Sequence, residues 1–331
     1  RTTERPFRSF GADEPCYNAA AVSVTEGRPW RAGGAGCGKP LARYVTIRNP
    51  ISGSGRAAKM FRRIGDELKA HGHTVEHLET RSRDDAIRIA REIDPTIDGL
   101  ISIGGDGTHN SVVNGLMGRP VPLMPVPAGT ENVLCKAVGI PADEKVTCRI
   151  LEAGRTRTLD IGLANGLAFG VMSGVGFDAT VTGEVHAKRR GPISRWWYFW
   201  PTVKNLFFYR WPHLTIEVDG ETVVENAAFA VIGNMRMYAD RLHVCDRAEP
   251  DDGLLDVCVF VRPGCWRLVS YFLSTRFGRH LKRKDVVYRQ GRRIVVRPTE
   301  VDIPFQLDGD AVGTAPVEYT VQPKAVKMFV P

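Results

Sequence analysis

Five consecutive residues, Gly104-Gly105-Asp106-Gly107-Thr108, have the types and spacing of a phosphate-binding loop. They follow an apolar run at residues 100–103 and precede an amphipathic run that starts at His109, so we predict a strand, a loop and a helix here. Glycine lets backbone amides approach phosphate oxygens closely, and a helix N-terminus adds partial positive charge. The position between a strand and a helix favours phosphate binding over a plain tight turn.

Two further loops of similar composition also lie between a predicted strand and a predicted helix. The first runs from Asn49 to Gly55 and includes Ser52 and Gly53, and the second includes Gly129 and Thr130. A flexible helix entry with a capping serine is the alternative for the first loop. Neither G-x-x-x-x-G-K-[ST] nor G-x-G-x-x-G occurs, which disfavours a P-loop NTPase and a Rossmann dinucleotide site.

The sequence around these loops alternates short apolar runs with amphipathic stretches. Residues 44–47, 74–78 and 100–103 predict strands, whereas residues 56–70, 84–93 and 109–116 predict helices. This alternation predicts a parallel sheet flanked by helices. Ligands of such sheets bind beyond the carboxyl ends of the strands, where Asn49-Pro50 and Gly104-Gly105 both lie.

Beyond about residue 158 the pattern favours strands, which indicates a second, β-rich domain. Strands are predicted at residues 163–171, 214–218, 223–232, 254–261, 293–296 and 317–321, and helices at residues 193–209 and 266–282. We expect a flexible extension at residues 1–43 and an α/β domain at residues 44–156. We further expect the β-rich domain at residues 157–318, with residues 319–331 returning to the first domain.

Composition limits the function classes. The chain has 331 residues, 43% of them apolar and 25% charged, which fits two packed domains. The net charge of +8 indicates either an anionic partner or a general arginine-rich composition without functional meaning. Seven cysteines without a CxxC pair favour free thiols in a reducing cytoplasm. No run approaches the ~20 apolar residues of a membrane span, so we expect a cytoplasmic protein.

Six motifs in a fixed order resemble the diacylglycerol kinase catalytic domain family, which includes bacterial lipid kinases and sphingosine kinases. They are Asn49-Pro50 with Ser52-Gly53, Gly104 to Thr108 with Asn110, Gly129-Thr130 with Asn132, Gly176-Phe177-Asp178-Ala179, Asp252-Gly253-Leu254-Leu255-Asp256 and Asp308-Gly309-Asp310. The glycine loop alone is shared with NAD kinases and resembles a loop in phosphofructokinases. The resemblance covers residues 44–331 and implies an α/β nucleotide-binding domain followed by a β-sandwich domain that receives the lipid.

The resemblance implies an ATP-dependent and Mg²⁺-requiring lipid kinase, with diacylglycerol as the expected acceptor. The implied nucleotide-binding residues are Asn49, Ser52, Gly53, Thr80, Gly104, Gly105, Asp106, Gly107, Thr108, Asn110, Gly129 and Thr130. Thr80 has an alternative interpretation as a strand-end cap. Phosphoryl transfer requires charge neutralisation at the phosphates and a group that accepts the hydroxyl proton.

The implied catalytic carboxylates are Asp308 as general base and Asp106 as the residue that organises the phosphates or Mg²⁺, with the two roles exchangeable. Asp310 stands where the family has Glu, and its side chain is shorter by one methylene. An ordinary hairpin turn is the alternative for Asp308-Gly309-Asp310.

Two more sites follow from the resemblance. A structural Mg²⁺ is implied at Glu249, Asp252 and Leu254, with oxygen ligands that include backbone carbonyls. A plain acidic turn is the alternative. Asp178 is implied near the lipid head group, and a strand-end turn is the alternative. One position departs from the family pattern: Val133 follows Asn132 where many members have Asp, and Glu131 is the nearest substitute.

Aromatic and cationic residues predict contact with an anionic membrane surface. The aromatic residues are Trp196, Trp197, Tyr198, Phe199, Trp200, Phe207, Phe208, Tyr209 and Trp211, and the cationic ones are Lys188, Arg189, Arg190, Arg279, Lys282, Arg283 and Lys284. The alternative is that the aromatics pack in the core and the charges form a solvated face. We expect no nucleic-acid partner, and a homodimer stays open. Two other functions stay open: an NAD kinase-like enzyme and a catalytically weak, lipid-binding regulatory protein.

Overall fold

The computed structural model of the protein describes residues 41–50, 55–187, 200–202, 204–205, 207, 209–238, 242–299 and 303–331. Several predictions concern residues outside these ranges. They include nearly all of the expected extension, the nucleotide-binding residues Ser52 and Gly53, and the cationic and aromatic residues at 188–199 and 208.

The first part of the chain alternates strands with helices. Its elements are β1 (Arg43–Arg48), α1 (Arg56–Ala70), β2 (Thr74–Glu79), α2 (Arg83–Glu92), β3 (Gly99–Gly104), α3 (Asp106–Leu116), β4 (Leu123–Pro127), α4 (Val133–Ala137) and α5 (Glu144–Ala153). Strands β1 to β4 are parallel and lie in the order β2-β1-β3-β4. The predicted parallel sheet is confirmed, and the carboxyl ends of its strands share one edge.

Local signals explain where these helices begin. Ser82 caps α2, because its Oγ accepts the N–H of Asp85 at 3.1 Å. Helix α3 begins at Asp106 rather than at the predicted His109. Gly105 is the extended N-cap, and the carboxylate of Asp106 lies favourably in a first helical turn. Three of the five residues of the predicted glycine loop therefore form the first turn of a helix.

The second part is rich in antiparallel strands. Its elements are β5 (Thr156–Ala164), β6 (Leu167–Phe169), β7 (Met172–Val175), α6 (Phe177–Ala187), β8 (Leu214–Val218), β9 (Glu221–Ala227), β10 (Phe229–Gly233), β11 (Leu255–Phe260), α7 (Cys265–Arg276), a 3₁₀ helix (His280–Lys282), β12 (Val286–Gly291), β13 (Arg293–Pro298), β14 (Pro304–Leu307), β15 (Asp310–Thr314) and β16 (Val317–Phe329). The expected β-sandwich is confirmed. Within the described residues its smaller sheet has the order β12-β11-β10-β7-β14-β15.

Several strand boundaries differ from the prediction. The predicted strand at residues 163–171 is divided by a turn at Asn165 and Gly166, both of which have positive φ. The predicted strand at residues 223–232 is divided at Ala228. The predicted helix at residues 266–282 ends at Arg276, before Gly278 with φ of 63°. Strands β7, β12, β14 and β15 were not predicted, because they are short or carry charged residues in place of an apolar run.

The last strand joins the two parts. In β16, Tyr319 pairs antiparallel with Ala164, whereas Met328 pairs parallel with Leu123 of β4. Strands from both halves of the chain therefore form one larger sheet, in the order β2-β1-β3-β4-β16-β13-β8-β9. The domain boundaries at 156/157 and 318/319 stay predictions.

The core between the two sheets of the sandwich is built around Phe169 and Tyr319, both fully buried. Their rings meet edge to face, with centroids 6.0 Å apart. A Cβ at Gly162 would lie 2.2 Å from the Phe169 ring, so this position has no room for a side chain. None of the helices in the described ranges is long and apolar enough to cross a bilayer.

Phe169→Ala tests the contribution of this ring. We expect the free energy of unfolding to fall by about 3–5 kcal/mol, because the change removes a buried ring and leaves a cavity. Chemical denaturation measures the loss. The matched control is Leu167→Ala in the same strand, whose side chain is 49% exposed and should cost under about 0.5 kcal/mol. Equal losses in the two variants would contradict this assignment of the core.

Candidate functional site

The loops that follow β3 and β4 are in backbone contact. A Cβ on Gly129 would lie 2.5 Å from the Cα of Gly105, so only glycine permits this approach. The side chain of Asn132 fixes the second loop, because its Oδ1 accepts the Gly129 N–H at 2.8 Å and its Nδ2 donates to the Gly129 carbonyl at 2.9 Å. Thr130 lies in the same loop.

The glycine loop turns directly into α3. A Cβ on Gly104 would lie 2.7 Å from the Thr108 side chain, whereas Gly107 is exposed and faces the Asp310 carboxylate. The first turn of a helix has N–H groups without intrahelical partners, and these can bind an anion. Behind the loop, His109 is fully buried, its Nδ1 lies 3.0 Å from the Ser102 Oγ, and burial lowers its pKa to about 4. The imidazole of His109 is therefore neutral and packs behind the loop as a structural side chain.

Asp308 occupies the turn between β14 and β15, with a left-handed backbone at φ of 49°. Its carboxylate accepts three backbone hydrogen bonds, from Gly170 at 2.7 Å and from Val171 and Met172 at 2.9 Å each. The Nδ2 of Asn110 in α3 donates a fourth at 3.0 Å. Burial raises the pKa of Asp308, and the four donors oppose that shift. Asp308 is therefore a hairpin-turn residue, and its carboxylate is also held in one orientation by four hydrogen bonds.

Asp106 lies opposite Asp308. Burial and, second, the charge of Asp308 raise the pKa of Asp106 to about 6. Backbone N–H groups of residues 132–134 at the start of α4 oppose this, with the Leu134 N–H 3.4 Å from Oδ1. The two carboxylates line one small cavity with Asn110, Val113, Leu134, Gly170 and Val171. Residues that are remote in sequence thus converge beside the glycine loop.

Arg83, at the start of α2, also reaches this site and is absent from the residues predicted from the sequence. Its Nη2 donates to the Oδ1 of Asn110 at 3.1 Å, and its Nη1 lies 3.5 Å from the Oδ2 of Asp310. One guanidinium therefore joins the shortened Asp310 to the amide that holds Asp308. The signal available in the sequence is a cation four residues after the end of β2, at the same sheet edge as the glycine loop.

Thr80 and Asn49 follow the carboxyl ends of β2 and β1. Thr80 is buried, and both its N–H at 2.9 Å and its hydroxyl at 3.5 Å point to the Arg48 carbonyl. These contacts match the strand-end cap that was the alternative interpretation. Asn49 lies at the edge where ligands of parallel sheets bind.

Asp178 lies in the first turn of α6 and belongs to a hydrogen-bond network. Its Oδ2 accepts the Nε2–H of Gln306 at 2.8 Å, and the Oε1 of the same glutamine accepts the Gly309 N–H at 2.7 Å. Tyr238 also hydrogen-bonds Asp178. Burial raises the pKa of Asp178. Gln306 is fully buried and was not predicted. Through it, Asp178 is linked to the turn that carries Asp308.

The residues expected to hold Mg²⁺ lie in the loop before β11. Asp252 Oδ1 accepts the Leu254 N–H at 2.9 Å, and Glu249 is ion-paired with Arg236. Burial, then the charges of Asp160 and Glu249, raise the pKa of Asp252. Within the described ranges no cluster of three or more His, Cys, Asp or Glu side chains is placed to hold a metal.

The donor set of this loop nevertheless fits a hard cation. It consists of oxygens only, with the Asp252 carboxylate and the Leu254 carbonyl, and like charges crowd Asp252. Asp160 fixes the loop from below, because its carboxylate accepts the N–H groups of Gly253 at 2.6 Å and Lys324 at 2.7 Å.

Val133 supplies no carboxylate at the position where the sequence resemblance implies an Asp. Val133 packs against the core, and its backbone N–H points to Asp106. Glu131 forms an ion pair with Lys136 at 3.6 Å.

Comparisons with known proteins cover most of the chain. A family model described as "Diacylglycerol kinase catalytic domain" matches residues 43–164, and one described as "YegS C-terminal NAD kinase beta sandwich-like domain" matches residues 171–330. A Mycobacterium tuberculosis protein named diacylglycerol kinase is 27% identical over 299 residues, which is 88% of this chain and 96% of that protein. A Bacillus subtilis protein of the same name is 26% identical over 285 residues, which is 84% of this chain and 93% of that protein. The crystal structure of a diacylglycerol kinase from Bacillus anthracis has a TM-score of 0.72 at 21% identity, covering 88% of this chain and 98% of that chain.

Asp106→Asn tests the electrostatics of the two carboxylates. The folded protein holds the Asp106 proton up to about pH 6, whereas the unfolded chain releases it near pH 4. Raising the pH through this window therefore weakens folding in the wild type, and the neutral variant escapes that loss. We expect the variant to gain up to about 2–3 kcal/mol relative to wild type between pH 4 and pH 7.5.

Denaturation in metal-free and nucleotide-free buffer measures this difference at both pH values. Asp66→Asn, on the exposed face of α1, is the control and should show no such change. A pH-independent difference for Asp106→Asn would contradict the raised pKa.

Proposed function

Because this chain belongs to the diacylglycerol kinase catalytic domain family, we propose that it transfers the γ-phosphate of ATP to a lipid hydroxyl, with diacylglycerol as the expected acceptor. One observation carries the proposal. Asp106 and Asp308 come from the two different parts of the chain, about 200 residues apart in sequence, and line one cavity beside the glycine loop. A phosphate site and two acidic groups are the parts that phosphoryl transfer to a hydroxyl requires.

In this proposal the phosphates of ATP bind at the loops after β3 and β4. The contact between Gly105 and Gly129 removes side chains from that surface, so backbone amides can reach phosphate oxygens. Asn49, Ser52, Gly53 and Thr80 belong to the same proposed nucleotide site.

Asp308 is the proposed general base. Burial raises its basicity, and its four hydrogen bonds fix the direction of the carboxylate. The lipid oxygen forms a bond to the γ-phosphorus, the bond from that phosphorus to the bridging oxygen breaks, and ADP leaves. Asp308 accepts the hydroxyl proton.

Asp106 is the proposed residue on the phosphate side. Its carboxylate needs a partner of opposite charge to stay ionised so near Asp308, since each raises the cost of ionising the other. A Mg²⁺ bound with ATP supplies charge neutralisation at the phosphates. A second, structural Mg²⁺ is proposed at Asp252 and Leu254, with Glu249 released from Arg236.

The direct test is a kinase assay with labelled ATP on total lipid extract, with mass analysis of the product, run beside the same assay on NAD. Label found in a phosphorylated lipid, as a phosphate monoester, supports the proposal. Label in NADP supports the NAD kinase-like alternative. ATP binding without transfer to any lipid supports the regulatory alternative, for which the missing acidic side chain at Val133 is the motivating observation.

Asp308→Asn tests the proposed base. We expect turnover to fall by about 10²–10⁴-fold, because the amide cannot accept the proton. ATP affinity should change little, and circular dichroism should report a folded protein. Asp66→Asn keeps the same substitution at an exposed site of α1 and should leave turnover unchanged. Wild-type turnover in Asp308→Asn would refute this role.

Arg83→Ala tests the guanidinium that joins Asn110 and Asp310. We expect kcat to fall by roughly 10–100-fold with a smaller change in KM for ATP, because both partners lose their common anchor while the glycine loop is intact. The matched control is Arg91→Ala at the other end of α2, which is exposed. An effect on KM alone would assign Arg83 to ATP binding instead of positioning.

A further inference from the structure

Helix α7 presents an apolar stripe to solvent. Trp266, Leu273 and Phe277 are 80%, 49% and 70% exposed. Trp266 and Leu273 belong to α7, and Phe277 is the C-cap residue that directly follows it. The separations of seven and four residues place all three on one face of the helix. An exposed stripe of this size is unusual on a face that contacts only water.

The orientation of α7 is fixed by its opposite face. Tyr271 is buried, with its ring 4.9 Å from that of Phe260 and 6.1 Å from that of Phe229. The Arg283 guanidinium lies 4.8 Å from the Tyr271 ring. Because the inner face is anchored on the smaller sheet, the outward direction of the stripe is a stable feature of the fold.

The stripe lies in a strongly cationic stretch. No Asp or Glu occurs between residues 257 and 284, whereas seven cations do: Arg262, Arg267, Arg276, Arg279, Lys282, Arg283 and Lys284. Asp285 pairs with Arg267 and Arg283. In the part of the chain that the structure describes, Arg276, Arg279 and Lys282 are exposed and have no acidic partner within ion-pair distance.

We propose that the exposed face of α7, with Trp266, Leu273 and Phe277 and the cations Arg276, Arg279 and Lys282, docks on an anionic lipid bilayer. Aromatic side chains insert at head-group depth, and each nearby cation adds attraction to anionic lipid. A second copy of the chain fits poorly, since a two-fold contact would set these cations against each other. The inference rests on the proposed function, because a lipid acceptor must be reached at a bilayer.

Ring contacts connect this face to the helix that carries Asp178. Phe177, at the start of α6, stacks on Trp211 at 5.9 Å, and Trp211 lies 6.4 Å from Phe229. Phe229 in turn contacts Tyr271 of α7. Helices α6 and α7 therefore cover the same face of the smaller sheet. Docking of α7 would bring that face, with Asp178, towards the bilayer.

Co-sedimentation of the full chain with lipid vesicles, without ATP, tests the proposal. We expect binding to phosphatidylcholine vesicles that contain phosphatidylglycerol, weaker binding to pure phosphatidylcholine, and loss of binding with added salt. The apolar variant W266A/L273A/F277A and the charge variant R276Q/R279Q/K282Q should each bind at least about tenfold more weakly. The control K69Q/K145Q/R149Q removes as many exposed charges from α1 and α5 and should bind as wild type.

Wild-type binding by both α7 variants, or no preference of the wild type for anionic vesicles, would overturn the proposal. The proposal would also be overturned if light scattering showed that the wild type is a dimer and that the apolar variant is a monomer. Phosphorylation of detergent-dispersed diacylglycerol separates this inference from the proposed function. If the α7 variants keep full activity on dispersed diacylglycerol but no longer bind vesicles, the docking proposal is supported. If the wild type binds vesicles but phosphorylates no lipid, docking stands and the proposed kinase function is refuted.

Discussion

The carboxylate of Asp308 connects parts of the chain that are remote in sequence. It receives N–H groups from Gly170 to Met172 and the amide of Asn110. These donors belong to α3, to the connection after β6 and to the first residue of β7, whereas Asp308 itself comes from a hairpin near the end of the chain. The site therefore exists only when the larger sheet and the smaller sheet are both formed. The geometry of the site therefore depends on the correct folding of both sheets.

The same arrangement has an energetic consequence. Two carboxylates share one small cavity, and each disfavours ionisation of the other. The protein offsets this with backbone donors: Asp308 has three, and Asp106 faces the start of α4. Only a substitution by proline removes a backbone N–H group, so most substitutions at these positions keep the donors. Substitution can still move them, and the contact of Gly105 with Gly129 shows how little space the loops have.

Local patterns are enough to predict the α/β half, the glycine loop and a β-rich second half, whereas the β-sandwich follows only from the family resemblance. Helix α1 has the predicted bounds because its apolar period is regular. The start of α3 was placed too late, since glycine-rich residues in a first helical turn look like a loop. For Arg83 the sequence offers only a cation at the sheet edge of the glycine loop, and for Gln306 it offers no signal, because their roles depend on contacts with residues far along the chain.

Two sequence departures, the shorter Asp310 and Val133, have different structural meanings. Asp310 lies within 3.5 Å of Arg83, so the loss of a methylene leaves it linked to the cavity through Asn110. Val133 has no such substitute in its side chain and contributes its backbone N–H to Asp106. Gln306 ties Asp178 to the turn at Gly309, next to Asp308. One hairpin thus holds the proposed base and, through Gln306, the residue expected at the lipid head group.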